Sequence, residues 1–327
     1  MGRDDRGPEA MTRYLVGRLL GLAAVLFVTS LVVFGSVHLA PGDPVSFLLH
    51  GRPATPSAVA ALRAEHHLDD PLVTQYAKWL GGVLSGDFGR SAQYHQDVAS
   101  LIGSRLTGTA LLVGCAAVLV AVLGVSAGVL AALRPGLPDR AVLIGTGIAT
   151  ATPSFVTAIA LVSLFSVQLG WFPGPGGGAP AGLSERLYQL ALPAVALALS
   201  FAGLLARVTR SAMLDELGRE HVEVARARGV AGRSVVRRHV LRNALGPVVT
   251  VGGTMLAGLL ISTSIVETAF DVPGLGSLLV QSVTAKDFAV VQAITLLSVA
   301  AFVLVNLVVD LLAPLIDPRL SLGEGSS

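Results

Sequence analysis

Residues Glu223–Pro247 have the sequence EVARARGVAGRSVVRRHVLRNALGP and lie between two long apolar stretches. The segment contains six arginines, and Gly229 separates two stretches with helical spacing. The apolar residues that recur with this spacing are Leu214, Leu217, Val224 and Ala225 before the glycine, and Val236, Val240 and Leu241 after it. Glycine adopts a left-handed helix cap at no steric cost. The pattern therefore predicts a helix–glycine–helix hairpin with an apolar ridge and a basic flank.

Two interpretations of this hairpin remain open at this level. Its arginines could lie on anionic lipid headgroups and hold the chain in place. That interpretation needs neither Glu223, nor the glycine break, nor two apolar stripes of fixed phase. Docking to a cytoplasmic protein would use all three, because shape complementarity places a helix in a groove and charges set its register.

The composition indicates an integral membrane protein. Hydrophobic residues make up 53% of the chain and charged residues only 13%, whereas charged residues are about a quarter of a soluble domain. The single cysteine, Cys115, lies in an apolar stretch, so no disulfide framework or thiolate metal cluster is predicted.

Six apolar segments are each long enough to cross the hydrocarbon core as a helix. They span residues 14–39, 107–133, 141–169, 188–205, 248–266 and 288–316. We therefore predict an all-α membrane protein with six transmembrane helices. The first segment is about twice as long as the apolar part of a cleavable signal peptide, which favours an uncleaved anchor.

The distribution of Lys and Arg predicts that both termini lie inside. With that orientation 16 of the 23 basic residues are cytoplasmic, and five of the other seven lie in one long outer loop. The predicted organisation is a cytoplasmic tail (1–13), a first transmembrane helix (14–39), an extracytoplasmic loop region (40–106), a five-helix core (107–316) and a cytoplasmic tail (317–327). The core contains the basic cytoplasmic loop at 207–246.

Several short motifs follow one another along the chain. They are 39–44 (LAPGDP), 86–91 (GDFGRS), 153–155 (PSF), 169–173 (LGWFP), 226–229 (RARG), 238–245 (RHVLRNAL), 267–268 (ET) with 273–276 (PGLG), and 306–310 (NLVVD) with 317–319 (DPR). In this order they resemble the dipeptide/oligopeptide/nickel branch of the ABC importer permeases. Glu223-Val224-Ala225 with Gly229 is similar to the EAA loop of that family, with valine at the first alanine position. The resemblance covers nearly the whole chain.

The resemblance implies a type I ABC importer permease fold in the bacterial plasma membrane. It also implies partners: a homologous permease subunit forming a heterodimer, two ABC ATPase subunits, an extracytoplasmic solute-binding protein and the lipid bilayer, but no nucleic acid. The coupling loop would contact the ATPases through Glu223, Ala225, Arg226, Gly229, Val236, Arg238, Val240, Leu241 and Asn243. The imported solutes of the family are peptides or similar small molecules.

No cofactor, metal site or catalytic site is predicted in this chain. It lacks the G-x-x-x-x-G-K-[ST] phosphate-binding loop, and its only lysines are Lys78 and Lys286. ATP and Mg are therefore expected in partner subunits, which would carry out ATP hydrolysis. The adjacent histidines His66 and His67 point in different directions on a helix, which argues against a metal site.

Four polar residues are candidates for the pore or its gate: Ser154, Thr157, Thr254 and Glu267. Hydroxyl residues in spans serve close helix packing or line a wet path, and both roles stay open for the first three. Glu267 either acts at the outer side, in a gate or in contact with the substrate-delivering protein, or caps the turn at 271–276.

Two other functions fit the composition. An ion-gradient-driven secondary transporter predicts inverted repeats and buried acids near the midplane, neither of which is clear in this sequence. A non-transporting membrane scaffold predicts that the hairpin tolerates scrambling at constant charge. The solute itself, the sister permease and the resting conformation are not predicted.

Overall fold

The long apolar runs form helices, because only a helix satisfies its own backbone hydrogen bonds in hydrocarbon as an open-ended structure. The computed structural model describes residues 8–39, 55–57, 60, 69–176, 178 and 182–316, with side chains from 16 to 37 in the first helix and up to 311 in the last. Over these residues the chain consists of helices, turns, short loops and one isolated β-bridge between Arg90 and Asp97.

The helices are labelled here in chain order, with two π-helical segments named separately. They are α1 (Pro8–Leu39), α2 (Leu72–Ser85), α3 (Val98–Leu133), α4 (Leu137–Ala151), α5 (Ser154–Leu161), π1 (Val162–Gln168), α6 (Leu183–Leu217), α7 (Glu220–Ala227), α8 (Gly232–Val235), π2 (Val236–Leu241), α9 (Arg242–Phe270), α10 (Leu275–Thr284) and α11 (Phe288–Ile316).

Five helical segments in the described part of the chain are long and apolar enough to cross a membrane. They are Val16–Val37, Val98–Leu133, Leu183–Leu217, Gly232–Phe270 and Phe288–Leu311. A bent pair, Leu137–Ala151 with Ser154–Gln168, makes a sixth span if the two arms are counted together. The prediction of an all-α membrane protein is confirmed, with five or six candidate spans.

The third predicted span, 141–169, is broken rather than straight. Its two arms meet at an angle of 103°. Thr152 between them has an extended backbone, with φ −84° and ψ 122°. The following residue, Pro153, causes this, since its ring excludes the helical conformation from the residue before it. Proline also lacks the N–H that would continue the ladder of helical hydrogen bonds.

Several helices extend past the apolar runs that predicted them. α1 begins at Pro8 rather than 14, α3 at Val98 rather than 107, and α6 covers 183–217 rather than 188–205. The added turns contain more polar residues than the apolar runs, so apolar composition does not mark the helix ends. The sixth run has the predicted bounds, 288–316.

Parts of the outer loop and of the C-terminal end lie outside the described residues. They are residues 40–44 of the LAPGDP stretch, most of residues 57–67 and the predicted tail at 317–327. Farther along the same loop, Leu72–Ser85 forms α2.

The chain divides into two compact units. The first contains Met1–Thr107 and Leu278–Val303, and the second contains Gly108–Ser277 and Leu304–Ser327. In the first unit, the ring centroids of Phe34 and Tyr76 lie 5.4 Å apart, and the Tyr76 hydroxyl hydrogen-bonds Ser30 at 2.7 Å. These contacts join α1 to α2.

The core of the second unit is built from α3, α5, α6 and α9. Small residues allow these helices to approach closely. At Gly128 of α3, an added Cβ would lie 2.6 Å from the carbonyl oxygen of Ala206 in α6. At Gly203 of α6, it would lie 2.9 Å from the carbonyl oxygen of Thr146 in α4. Both glycines therefore sit where any side chain would push two helices apart.

Candidate coupling hairpin

The predicted hairpin follows α6 and turns at Gly229. This glycine has φ +75°, the left-handed region, and ends α7. The N–H of Gly229 donates to the carbonyl of Arg226 at 2.9 Å, and the N–H of Val230 donates to the carbonyl of Ala225 at 3.2 Å. These two bonds form a Schellman motif, which satisfies the last carbonyls of the helix. The predicted glycine cap is confirmed.

The apolar side chains of the hairpin pack against their own chain. The buried cluster consists of Ala132, Met213, Val222, Ala225, Val235, Val240 and Ala244. Val236 and Leu241 are partly buried against it. Val240 is 0% exposed, so in this conformation it stabilises the hairpin from inside rather than forming an outward ridge.

The predicted apolar face of the first arm is correct only in part. Ala225 is buried and Leu217 packs against the cluster, whereas Leu214 and Val224 are 40% and 43% exposed. Val222, which was not predicted, is fully buried. The prediction assumed one continuous helix from Leu214 to Ala225. The structure ends α6 at Leu217 and starts α7 at Glu220. This break resets the helical phase, and a different side of α7 faces the cluster.

A buried carboxylate, Glu216, connects the parts of the hairpin. It is 6% exposed and lies near the end of α6. Arg219 Nε lies 3.0 Å from its Oε1, His221 Nε2 lies 3.6 Å from its Oε2, and Asn243 Nδ2 donates to Oε2 at 3.4 Å. Glu216 thus joins the inter-helix turn, α7 and the start of α9. A buried carboxylate needs such partners, because leaving it unpaired is costly.

The second arm of the hairpin continues into a membrane span without a loop. The arm begins at Gly232 and runs as one apolar segment to Phe270. Its middle part, π2, is π-helical over Val236–Leu241. π-helical segments inside α-helices occur frequently at functional sites. Because the arm and α9 belong to one continuous helical segment, a displacement of the arm would also displace α9.

The basic flank of the hairpin is exposed, as predicted. All six arginines between 223 and 247 are exposed, including Arg226 and Arg238, and so is Glu223. The surface available to a partner is therefore formed by charged side chains together with Val224 and Val230, which is 37% exposed.

An ion pair holds the start of α4 to the end of α6. Arg210 donates from Nε to Asp139 Oδ1 at 2.6 Å and from Nη2 to Oδ2 at 2.7 Å. The two side chains are 27% and 17% exposed. Bidentate pairs of this kind combine charge with fixed geometry. The pair also joins two segments that the charge distribution assigns to the same side of the membrane.

Glu267 lies at the other end of α9 and is fully buried. Thr109 Oγ1 donates to its Oε1 at 2.6 Å, and the Ser277 N–H donates to its Oε2 at 3.0 Å. The Leu275 N–H donates in turn to Thr109 Oγ1 at 2.8 Å. Glu267 therefore satisfies an N–H in the first turn of α10, the interaction expected of an acidic group at a helix N-terminus.

Glycines make this turn fit around Glu267. An added Cβ at Gly274 would lie 2.2 Å from the Glu267 carboxyl carbon, and one at Gly276 would lie 2.4 Å from Ser264 Cα. Of the two roles that the sequence left open for Glu267, this geometry favours the structural cap over an exposed gate.

Two of the three hydroxyl candidates, Thr157 and Thr254, donate hydrogen bonds to backbone carbonyls three or four residues before them. Thr157 Oγ1 donates to the Pro153 carbonyl at 3.5 Å, and Thr254 Oγ1 donates to the Val251 carbonyl at 2.8 Å. Ser154 and Thr157 are half-buried and Thr254 is exposed. A groove of about 670 Å³ between α3, α6, α9 and α11 has almost entirely apolar walls and includes none of the three.

Glu216 and the Asp139–Arg210 pair were not predicted from the sequence. One signal for Glu216 is present, since Arg219 follows it by three residues and such spacing brings side chains together on a helix surface. Asp139 and Arg210 are 71 residues apart, so no local pattern connects them. Among the described residues, no group of three or more His, Cys, Asp or Glu side chains is placed to hold a metal ion.

Two family models match the chain. Residues 124–322 match the binding-protein-dependent transport system inner membrane component, and residues 11–112 match the N-terminal region of such membrane components. The chain is 37% identical over 317 residues to a Brucella ovis protein described as a peptide permease. It is 38% identical over 311 residues to the glutathione transport system permease protein GsiC of Escherichia coli K12. Each match covers 95% of this chain and 99% of the relative.

Two solved structures have a similar fold. The MetNI methionine ABC transporter, in an inward-facing conformation, matches 66% of this chain and 96% of its own, with TM-score 0.52 and 22% identity. An amino acid ABC transporter matches 68% of this chain and 94% of its own, with TM-score 0.50 and 20% identity. These likenesses show the permease fold of ABC importers.

Proposed function

The chain belongs to the family of binding-protein-dependent transport system inner membrane components, and from this premise we propose that it imports peptides or similar small solutes. It is a permease subunit of an ABC importer and a multi-pass protein of the bacterial inner membrane. One observation carries the substrate class: the relatives that match 95% of this chain are named as peptide and glutathione permeases.

The family implies ATPase and solute-binding-protein partners. The finer composition is our proposal: one homologous permease subunit forms a heterodimer with this chain, two ABC ATPase subunits bind the cytoplasmic side, and one solute-binding protein delivers the solute outside. Both termini then lie in the cytoplasm, in agreement with the excess of basic residues in the loops assigned to that side.

The hairpin at 207–246 is the proposed contact with the ATPases. Its two arms move as one body, because the buried cluster and Glu216 tie them together. Its second arm continues into α9 without a loop. Closure of the ATPases would therefore displace α9, while the Asp139–Arg210 pair passes the displacement from α6 to α4.

ATP hydrolysis belongs to the partners in this proposal, and this chain carries no catalytic activity. No phosphate-binding loop is present in the sequence. ATP and Mg would be held in the ATPase subunits.

Reconstitution of the full importer in proteoliposomes tests the proposal. Uptake of labelled di- and tripeptides is expected to require ATP and the solute-binding protein, and a non-hydrolysable ATP analogue should abolish it. Uptake that follows an ion gradient without ATP would instead support a secondary transporter. Absence of uptake of any solute by the complete assembly would support a scaffold.

The coupling role has its own test. Gly229→Pro and a charge-preserving scramble of residues 223–242 are expected to abolish co-purification of the ATPases while membrane insertion stays intact. Proline cannot adopt the positive φ of Gly229. Gly232→Ala is the matched control, since Gly232 has no positive φ and nothing lies within 4 Å of an added Cβ. Undiminished co-purification by the scramble would overturn the coupling role.

A further inference from the structure

A pocket of about 480 Å³ opens on the surface of the hairpin. Ala225, Val224 and Val230 form its apolar part, and its polar part combines one acidic residue, Glu220, with Arg228, His221 and His239. Its volume falls within the range of about 300–1,000 Å³ that is typical of ligand pockets. It is large enough to admit a bulky side chain from another protein.

The walls of this pocket are held in place by the fold of the hairpin. The Schellman motif at Gly229 sets Val230 opposite α7. His221 is held near Glu216, with 3.6 Å between Nε2 and Oε2. The rings of His221 and His239 lie 6.5 Å apart between centroids and are tilted by 53°. The pocket is therefore formed in the chain by itself, and a partner would bind it without paying for its assembly.

Apolar side chains are unusual on this part of the surface. Val224 and Val230 are 43% and 37% exposed. The hairpin carries seven exposed arginines, of which Arg228 lines the same pocket: Arg219, Arg226, Arg228, Arg233, Arg237, Arg238 and Arg242. A patch with an apolar centre and a polar rim is the usual anatomy of a protein interface. Covering the two valines removes apolar surface from water, which favours binding.

We propose that this pocket receives an apolar or aromatic side chain of the ATPase subunit, next to which the ATPase carries a carboxylate. The inference rests on the proposed coupling function and names the chemistry of the contact. The carboxylate meets Arg228 at the rim, where complementary charge fixes the register. The apolar side chain lies against Val224 and Val230, and an aromatic ring can stack on the imidazoles of His221 and His239.

Charge and shape together favour a protein over a lipid headgroup. An anionic headgroup would match the arginines, but it would leave the apolar walls of Val224, Val230 and Ala225 without a complement. A protein surface with a projecting apolar side chain and a carboxylate placed toward Arg228, away from Glu220, matches both the apolar walls and the excess of arginines on the hairpin. Contact with lipid is therefore the alternative outcome of the test.

Cross-linking from the pocket tests the contact directly. Cys115 is the only cysteine, so Cys115→Ser provides a cysteine-free background. In the assembled importer in nanodiscs, Val224→Cys labelled with a short photoactivatable thiol reagent is expected to cross-link to the ATPase subunit. Arg237→Cys, an exposed hairpin position outside the pocket, is the control and should cross-link several-fold less. Cross-links from Val224→Cys to lipid alone, or equal yields at both positions, would overturn the proposal.

A pair of charge reversals separates this inference from the coupling function itself. Arg228→Glu is expected to weaken binding of purified ATPase subunits about tenfold or more, since it removes a central contact. Arg233→Glu, an exposed arginine that does not line the pocket, should weaken it less than about threefold, as a rim charge does. Equal losses would overturn the pocket proposal. If both variants bind normally while the 223–242 scramble does not, the coupling function stands and the pocket proposal fails.

Discussion

Two buried glutamates organise two regions of the second unit in different ways. Glu216, 6% exposed, lies at the base of the hairpin, and its partners include the long side chain of Arg219 at 3.0 Å and the imidazole of His221 at 3.6 Å. Glu267, 0% exposed, accepts hydrogen bonds from a threonine hydroxyl at 2.6 Å and a backbone N–H at 3.0 Å. The arginine and histidine partners of Glu216 are exposed to solvent, whereas the donors to Glu267 are buried.

This difference indicates which region can rearrange. Arginine and histidine side chains can follow a carboxylate that moves, because they have several rotamers and water beside them. The Ser277 N–H cannot, since the backbone fixes its direction, and Gly274 leaves no space beside the Glu267 carboxyl group. The surroundings of Glu216 can therefore adjust at the exposed rim of the hairpin, whereas the turn keeps Glu267 in one geometry.

The largest effect is expected at the turn. Gly274→Ala would place a Cβ 2.2 Å from the Glu267 carboxyl carbon. The carboxylate must move and lose its hydrogen bonds, so we expect a loss of about 3 kcal/mol or more in the free energy of unfolding. The thermal unfolding midpoint in detergent measures it. Gly145→Ala in α4 is the control, because nothing lies within 4 Å of the Cβ added there. A loss no greater than that of the control would show that the turn is as adaptable as the hairpin.

Removal of the first carboxylate should have a smaller and more local effect. Glu216→Ala leaves Arg219, His221 and Asn243 without this acceptor, which we expect to cost about 2 kcal/mol. The change should appear as faster hydrogen exchange in α7 and the start of α9. Glu223→Ala, at an exposed position in α7, is the comparison. Equal hydrogen-exchange rates in the two variants would show that Glu216 does not stabilise the hairpin.

Substitutions in the ion pair between α4 and α6 measure how much a partly exposed carboxylate contributes to the free energy of unfolding. Arg210→Lys cannot reproduce the two parallel hydrogen bonds to Asp139. We expect it to cost about 1 kcal/mol, and the loss should shrink at high salt. A double-mutant cycle with Asp139→Asn measures the coupling energy. A coupling energy of zero would mean that the pair does not hold the two helices together.

The smallest effect is expected at the hairpin turn. Gly229→Ala keeps open space around the new Cβ but must adopt φ +75°, which we expect to cost about 1 kcal/mol. ATPase coupling in this variant should survive with reduced efficiency, unlike in Gly229→Pro. Gly232→Ala has neither constraint and should be at least as stable as the unsubstituted chain. If the two alanine variants are equally stable, the left-handed cap contributes nothing to the hairpin.

Local features of the hairpin followed from the sequence, and its inner packing did not. The glycine cap at Gly229 and the exposed arginines were both predicted correctly. The apolar face of the first arm was predicted only in part, since the prediction passed over Gly218, the C-cap residue of α6, and the break before Glu220 resets the helical phase. Val222 therefore took the buried position expected for Val224.

By itself, the sequence determined that the chain is an all-helical membrane protein with a basic hairpin that turns at a glycine. The length of the apolar segments, the clustered arginines and the backbone freedom of Gly229 are all local properties, so they can be recognised without the tertiary structure. Only the tertiary structure decided which carboxylates are structural. Thr109 and Glu267 are 158 residues apart, and Asp139 and Arg210 are 71 apart. Such pairs exist only after helices pack, since the packing brings the donors to the acceptors, and no local pattern encodes that approach.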